Sequence, residues 1–95
     1  MDSVLVVIVY TQHKKYARFL FPKIYDLLTY KNKACAFIDE NNYPELGRCA
    51  TGEERAALGR NIGIELAKKD NFDWILFLDI DTEPEPDTIE KLMAV

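Results

Sequence analysis

The sequence predicts a small α/β fold of three layers, a parallel sheet of three or four strands held between helices. Two observations carry this reading. Val4-Leu5-Val6-Val7-Ile8-Val9-Tyr10 is a continuous run rich in β-branched residues, and a strand that does not alternate apolar with polar residues is one buried on both faces, as in parallel sheets. Three apolar runs alternate with helical segments in the order β-α-β-α-β-α, a pattern that implies right-handed crossovers and a parallel sheet.

The elements follow in order. After the first strand, Thr11-Gln12-His13 leads into a helical stretch from Lys14 to about Tyr30, with Tyr16, Leu20, Ile24, Leu27 and Leu28 as its apolar stripe. Pro22 lies inside it, which predicts a kink or a second helix carrying Pro22 in its first turn. Ala34-Cys35-Ala36-Phe37-Ile38 is the second strand, ending at Asp39. Glu40 to Gly52 holds Asn41, Asn42, Pro44 and Gly47 and reads as a loop. A helix from about Glu53 to Lys69 follows, acidic in its first turn and basic in its last, as the helix dipole favours. Gly59 and Gly63 lie one turn apart on it. Each costs about 1 kcal/mol against Ala, which a close approach by a strand backbone or a ligand would explain. Trp74-Ile75-Leu76-Phe77-Leu78 is the third strand, opened by a turn at Asp70-Asn71 and closed by Asp79-Ile80-Asp81. Asp87, with Glu90 three residues on, predicts a capping box for a last helix reaching about Ala94.

The chain has 95 residues, which suits one domain. Its net charge of −4 argues against non-specific grip on nucleic acid or anionic membrane. No apolar run approaches the roughly 20 residues that span a bilayer. Acidic Asp2 precedes the first run, where a secretory leader carries basic residues, so a cytoplasmic setting is expected. Cys35 and Cys49 make neither a disulfide framework nor a zinc site and read as reduced thiols.

In open parallel sheets, ligands bind at the carboxyl ends of the strands, where the strand order reverses. The polar residues ending the three strands are Thr11, Asp39, and Asp79 with Asp81. They come from distant parts of the sequence and converge on one rim. In Asp79-Ile80-Asp81 the two carboxylates are two residues apart, the spacing that points both to one side of a strand. Two hard anionic ligands in a partly dry cleft favour Mg²⁺ or Mn²⁺, which keep waters and bind phosphate oxygens. The bland alternative is a pair of acids in a solvated turn.

Two further readings of this segment fail on particular residues. Asp79, Asp81, Glu83, Asp87 and Glu90 match the ligand positions of an EF-hand loop, but Pro84 occupies the sixth position, which needs Gly, and the entering element is a strand. The segment resembles a phosphatase of the haloacid dehalogenase type up to Asp81, but Glu83 stands where that pattern needs Thr.

The sequence from Arg55 to Met93 resembles the family 2 glycosyltransferases with the GT-A fold, and the related mannan polymerase group. Arg60-Asn61-Ile62-Gly63 is similar to their Arg-Asn-x-Gly helix, Trp74 to Asp81 to their hydrophobic strand with its Asp-x-Asp motif, and Pro86-Asp87-Thr88-Ile89-Glu90-Lys91-Leu92 to the Pro-led helix that follows. More weakly, Val9-Tyr10-Thr11-Gln12-His13 sits where those enzymes have Ile-Pro-Thr-x-Asn, and Asp39-Glu40 where they have an Asp-Asp pair. The resemblance implies a Rossmann-like GT-A domain over residues 1–95 that binds a nucleotide-diphospho sugar. Thr11 and Asp39 would then contact base and ribose, Asp79 would lie near ribose or metal, Asp81 would ligate Mn²⁺ or Mg²⁺, and Arg60 would support the nucleotide or hold the Asp-bearing strand. A structural ion pair is the alternative for Arg60.

The departures are specific. Tyr10 replaces Pro, and Asn41-Asn42 follows Asp39-Glu40 where Gly-Ser is usual. Those transferases continue into an acceptor-binding half, which carries the catalytic base of inverting enzymes and has no evident counterpart here. The catalytic residue and the acceptor are therefore unassigned. His13, the single histidine, reads as a loop residue or nucleotide contact, with a general base as the lesser alternative, and Lys14, Lys15 and Arg18 read first as a solvated helix face and second as a cluster that steers an anionic nucleotide sugar. The function expected first is glycosyl transfer. A non-catalytic nucleotide-binding module and a structural or assembly protein retaining the fold are the alternatives. Exposed sheet edges predict a homodimer or higher oligomer.

Overall fold

A computed structural model describes residues 2–9, 23–79 and 84–94. The sheet has three parallel strands in the order β2-β1-β3: β1 is Val4–Val9, β2 is Lys33–Ile38 and β3 is Trp74–Asp79. Residues 23–27 are helical (α1). A 3-10 turn covers Pro44–Arg48, and helices α2 and α3 cover Gly52–Lys69 and Thr88–Met93.

Central β1 is buried on both faces, with Val6, Val7 and Ile8 fully inaccessible. Each such side chain contributes about 1.5–3 kcal/mol of burial. Its alternate residues feed two cores. Val4, Val6 and Ile8 pack with Ile24, Leu28 and Ile89 on one face, and Leu5 and Val7 pack with Ile38, Leu46 and Ala67 on the other. The chain therefore places α1 and α3 on one side of the sheet and α2 with the 3-10 turn on the opposite side. This is the expected three-layer α/β arrangement.

Local chemistry sets the ends of α2. The Thr51 hydroxyl accepts from the Glu54 N–H at 3.1 Å, and the Glu54 carboxylate accepts from the Ala50 N–H at 3.1 Å, a near relative of the capping box. At the other end Asn71 has φ 57. Its N–H bonds to the Lys68 carbonyl at 3.3 Å and that of Phe72 to the Ala67 carbonyl at 2.9 Å. That pattern is a Schellman motif with Asn in the left-handed position. The strands' starting ends are tied too. The backbone N–H groups of Asp73 and Trp74 donate to the Ser3 carbonyl at 3.1 and 3.0 Å, and the Trp74 indole donates to the Asp2 carboxylate at 3.0 Å.

Three expectations need correction. The loop read over Glu40 to Gly52 contains the 3-10 turn, whose Leu46 is fully buried. The helix expected to reach Tyr30 ends at residue 27, because the Thr29 N–H turns away to the Pro86 carbonyl at 2.9 Å. Asp87 makes no side-chain cap on α3. Its carboxylate lies 3.4 Å from Lys91 Nζ, and the Glu90 carboxylate accepts from the Thr29 hydroxyl. The part of the first helix around Lys14 to Pro22 falls outside the described residues. Among the described residues no helix is long and apolar enough to cross a membrane.

Candidate functional site

The strand order creates the site. From β1 the chain crosses to β2 on one side and then to β3 on the other. The order reverses between β1 and β3, and the crevice beyond their carboxyl ends is where such sheets take ligands. Val9 is the last residue of β1 and pairs with Ile38 of β2 and Asp79 of β3. Asp79 therefore ends β3 beside the reversal point. Asp39 follows Ile38 on the far side of β1, roughly 10 Å away at two strand spacings. These two acids, 40 residues apart in sequence, share one rim. Thr11 and Asp81 lie outside the described residues, as do His13, Lys14, Lys15, Arg18 and the side chain of Asp79.

Asp39 is half-buried and engaged in its own turn. Its carboxylate accepts from the Asn42 N–H at 3.1 Å and from the Asn41 side-chain amide at 3.5 Å. Its carbonyl accepts from the Tyr43 N–H at 2.8 Å. Asp and Asn mimic a backbone turn in this way, which explains why Asn41-Asn42 follows the acid. A carboxylate offers about four acceptor positions, so capacity remains for a hydroxyl donor. The Asn42 amide closes the turn onto the Phe37 carbonyl at 3.3 Å. The 3-10 turn packs against it, and a Cβ on Gly47 would stand 3.3 Å from Glu40 Oε2.

Arg60 takes its position from the glycines of α2. Gly59 lies against Val9 and Gly63 against Val7, so α2 runs down the sheet from the rim, and Arg60 stands next to the residue that touches the last rung of β1. It is exposed, and among the described residues no ion pair holds it. Asn61 is exposed too, and with Tyr43, Leu58 and Ile62 it lines a shallow groove outside α2. An apolar groove of about 250 Å³ lies elsewhere, lined by Trp74, Leu76, Ile89 and Leu92. It follows the first half of β3, away from the rim.

The sequence model of glycosyl transferase family 2 matches residues 46–95, more than half of the chain. The chain belongs to glycosyl transferase family 2. No curated protein and no solved structure gave a match. The family 2 match begins at buried Leu46 and takes in α2, β3 and α3. Arg60, Asp79 and Asp81 fall inside it, while Thr11 and Asp39 precede it. Sequence reasoning missed Leu46 and Thr51, the residues that fix the turn and the helix start before Arg60. The Thr51-x-x-Glu54 spacing was a usable signal for the second.

Among the described residues no three His, Cys, Asp or Glu side chains are grouped to hold a metal ion. The Asp79 side chain and Asp81 lie outside those residues. Hard carboxylate oxygens suit Mg²⁺ or Mn²⁺, which use one or two protein carboxylates and complete their shell with water and phosphate.

Proposed function

We propose that this family 2 member binds a nucleotide-diphospho sugar with Mn²⁺ or Mg²⁺ and transfers the sugar to an acceptor whose identity is open. The supporting observation is the position of Asp79 at the end of β3, in register with Val9, at the reversal of strand order. Asp81 is the metal ligand in this reading, with Asp79 near the metal or the ribose. Thr11 and Asp39 contact base and ribose, and Arg60 supports the nucleotide from the middle of α2, next to the glycine that meets Val9. When bound, the metal would neutralise charge developing on the leaving diphosphate. The protein's own part is orientation. Asp39 stays aimed by its bonds from Asn41 and Asn42, and Arg60 supplies positive charge beside an acidic rim that would otherwise repel a diphosphate.

The test is release of nucleoside diphosphate from UDP- and GDP-sugars with Mn²⁺ present. Release that disappears in Asp81→Ala supports transfer chemistry. Donor that binds without turnover makes the chain a non-catalytic nucleotide-binding module. Absence of both points to a structural protein that keeps the fold.

A homodimer and a cytoplasmic setting belong to the same proposal. β3 is an edge strand of the described sheet. Trp74 and Phe77 on it are 53% and 40% exposed, and neighbouring Leu92 is 56% exposed. Cys35 and Cys49 are free thiols, the state expected of a reducing compartment.

A further inference from the structure

We infer that Asn42 is a positioning residue for Asp39, and that its side-chain amide, bonded to the Phe37 carbonyl, holds the carboxylate in the orientation that meets a nucleotide. The inference rests on the donor-site reading above, in which Asp39 contacts base or ribose. It adds a side chain that acts on the nucleotide only through the acid.

Asp39 follows fully buried Ile38, so its backbone is fixed where β2 ends. The exit from the turn is fixed as well. The Tyr43 N–H bonds to the Asp39 carbonyl at 2.8 Å, the Leu46 N–H bonds to the Tyr43 carbonyl at 3.0 Å, and Leu46 is fully buried. Between these anchors Asn41 and Asn42 are exposed. Asn42 ties this crest down through two bonds. Its backbone N–H donates to Asp39 Oδ1 at 3.1 Å, and its side-chain amide donates to the Phe37 carbonyl at 3.3 Å. The amide therefore reaches back past the acid and closes the turn on the strand itself.

The two carboxylate oxygens are held unequally. Oδ1 takes a well-formed bond from the backbone. Oδ2 takes one from the Asn41 amide at 3.5 Å, the outer limit for such a bond. Oδ2 is thus the oxygen with more capacity for a ligand, and as an acceptor it selects a hydroxyl or N–H donor. An unsupported side chain samples several staggered rotamers. A binding group is effective when supporting hydrogen bonds lock one of them. The bond to Phe37 keeps the residue 42 N–H where Oδ1 can use it, and so keeps Oδ2 aimed.

The experiment compares the full chain with Asn42→Ala, Asp39→Ala and the double variant, titrating each with UDP and GDP in the presence of Mn²⁺ up to millimolar nucleotide. Amide hydrogen exchange at residue 42 and thermal melting are read on the same chains without nucleotide. Asn42→Ala keeps the backbone N–H and removes the bond to Phe37. It is expected to speed exchange of that amide and to leave the melting temperature near wild type. It should weaken nucleotide binding roughly three- to tenfold, the equivalent of one ordinary hydrogen bond. In the Asp39→Ala background the same change should cost nothing further. Wild-type affinity or wild-type exchange in Asn42→Ala overturns the positioning role alone. An equal loss with and without Asp39 also overturns it, since Asn42 would then act by another route. Undiminished binding in Asp39→Ala takes Asp39 out of the site and the inference with it. Absence of nucleotide binding in the wild type overturns the donor-site reading and the inference together.

Discussion

Gly59 of α2 meets Val9 of β1 so closely that a Cβ on the glycine would stand 2.3 Å from Val9 Cγ1. Val9 is also the residue paired with Asp79. One contact therefore sets both the height of Arg60 on its helix and the packing under the rim.

Gly59→Ala tests this contact. The substitution gains about 1 kcal/mol of helix propensity and incurs overpacking of about 1–3 kcal/mol against a stiff β-branched neighbour. Net destabilisation is expected in urea melts. Val9→Ala in the same chain should relieve it, with a coupling of about 0.5–3 kcal/mol between the two sites. A neutral Gly59→Ala would contradict the contact.

The same contact shows what the sequence discloses. Two glycines one turn apart announce a close approach, and the β-branched run announces a strand buried on both faces. Their union in one packing contact follows from topology. Leu46 was illegible, because one leucine among polar loop residues has no periodicity to betray burial. The end of α1 was illegible for another reason. The N–H of Thr29 exchanges a local helical partner for Pro86, 57 residues away, and local propensity does not register such a partner. The expected cap on α3 failed likewise, since Glu90 is engaged by Thr29. At the site, the strand-end positions of Asp39 and Asp79 were readable from where the apolar runs stop. The engagement of Asp39 with Asn41 and Asn42 required geometry.

Alkaline pH should loosen the fold. Burial pushes the Cys35 thiol up to about 11 from 9.0, against a smaller opposing effect of Lys33. Tyr30 is raised as well, by burial first and then by the carboxylates of Asp2, Asp73 and Glu90. The unfolded chain sheds these protons at lower pH than the native chain. It therefore binds fewer protons across that interval, and stability falls as pH rises from about 9 to about 11. Urea midpoints through this range should decline, and Cys35→Ala should flatten the decline. A rising or flat wild-type profile would contradict the assignment.

Light scattering tests the dimer. An exposed apolar edge invites strand pairing, and a lysine placed on it opposes pairing. The wild type should run as a dimer and Phe77→Lys as a monomer. A wild type that is monodisperse as a monomer removes the dimer from the proposal.

The most direct test of the central claim is calorimetric titration of the chain with UDP and GDP, each with and without Mn²⁺, repeated on Asp81→Ala. Binding of at least one nucleotide that requires the metal, and that is lost in Asp81→Ala while the fold survives, is the expected result. Binding that is indifferent to Mn²⁺ or unchanged in Asp81→Ala would contradict it, and would remove the metal-diphosphate site from the end of β3.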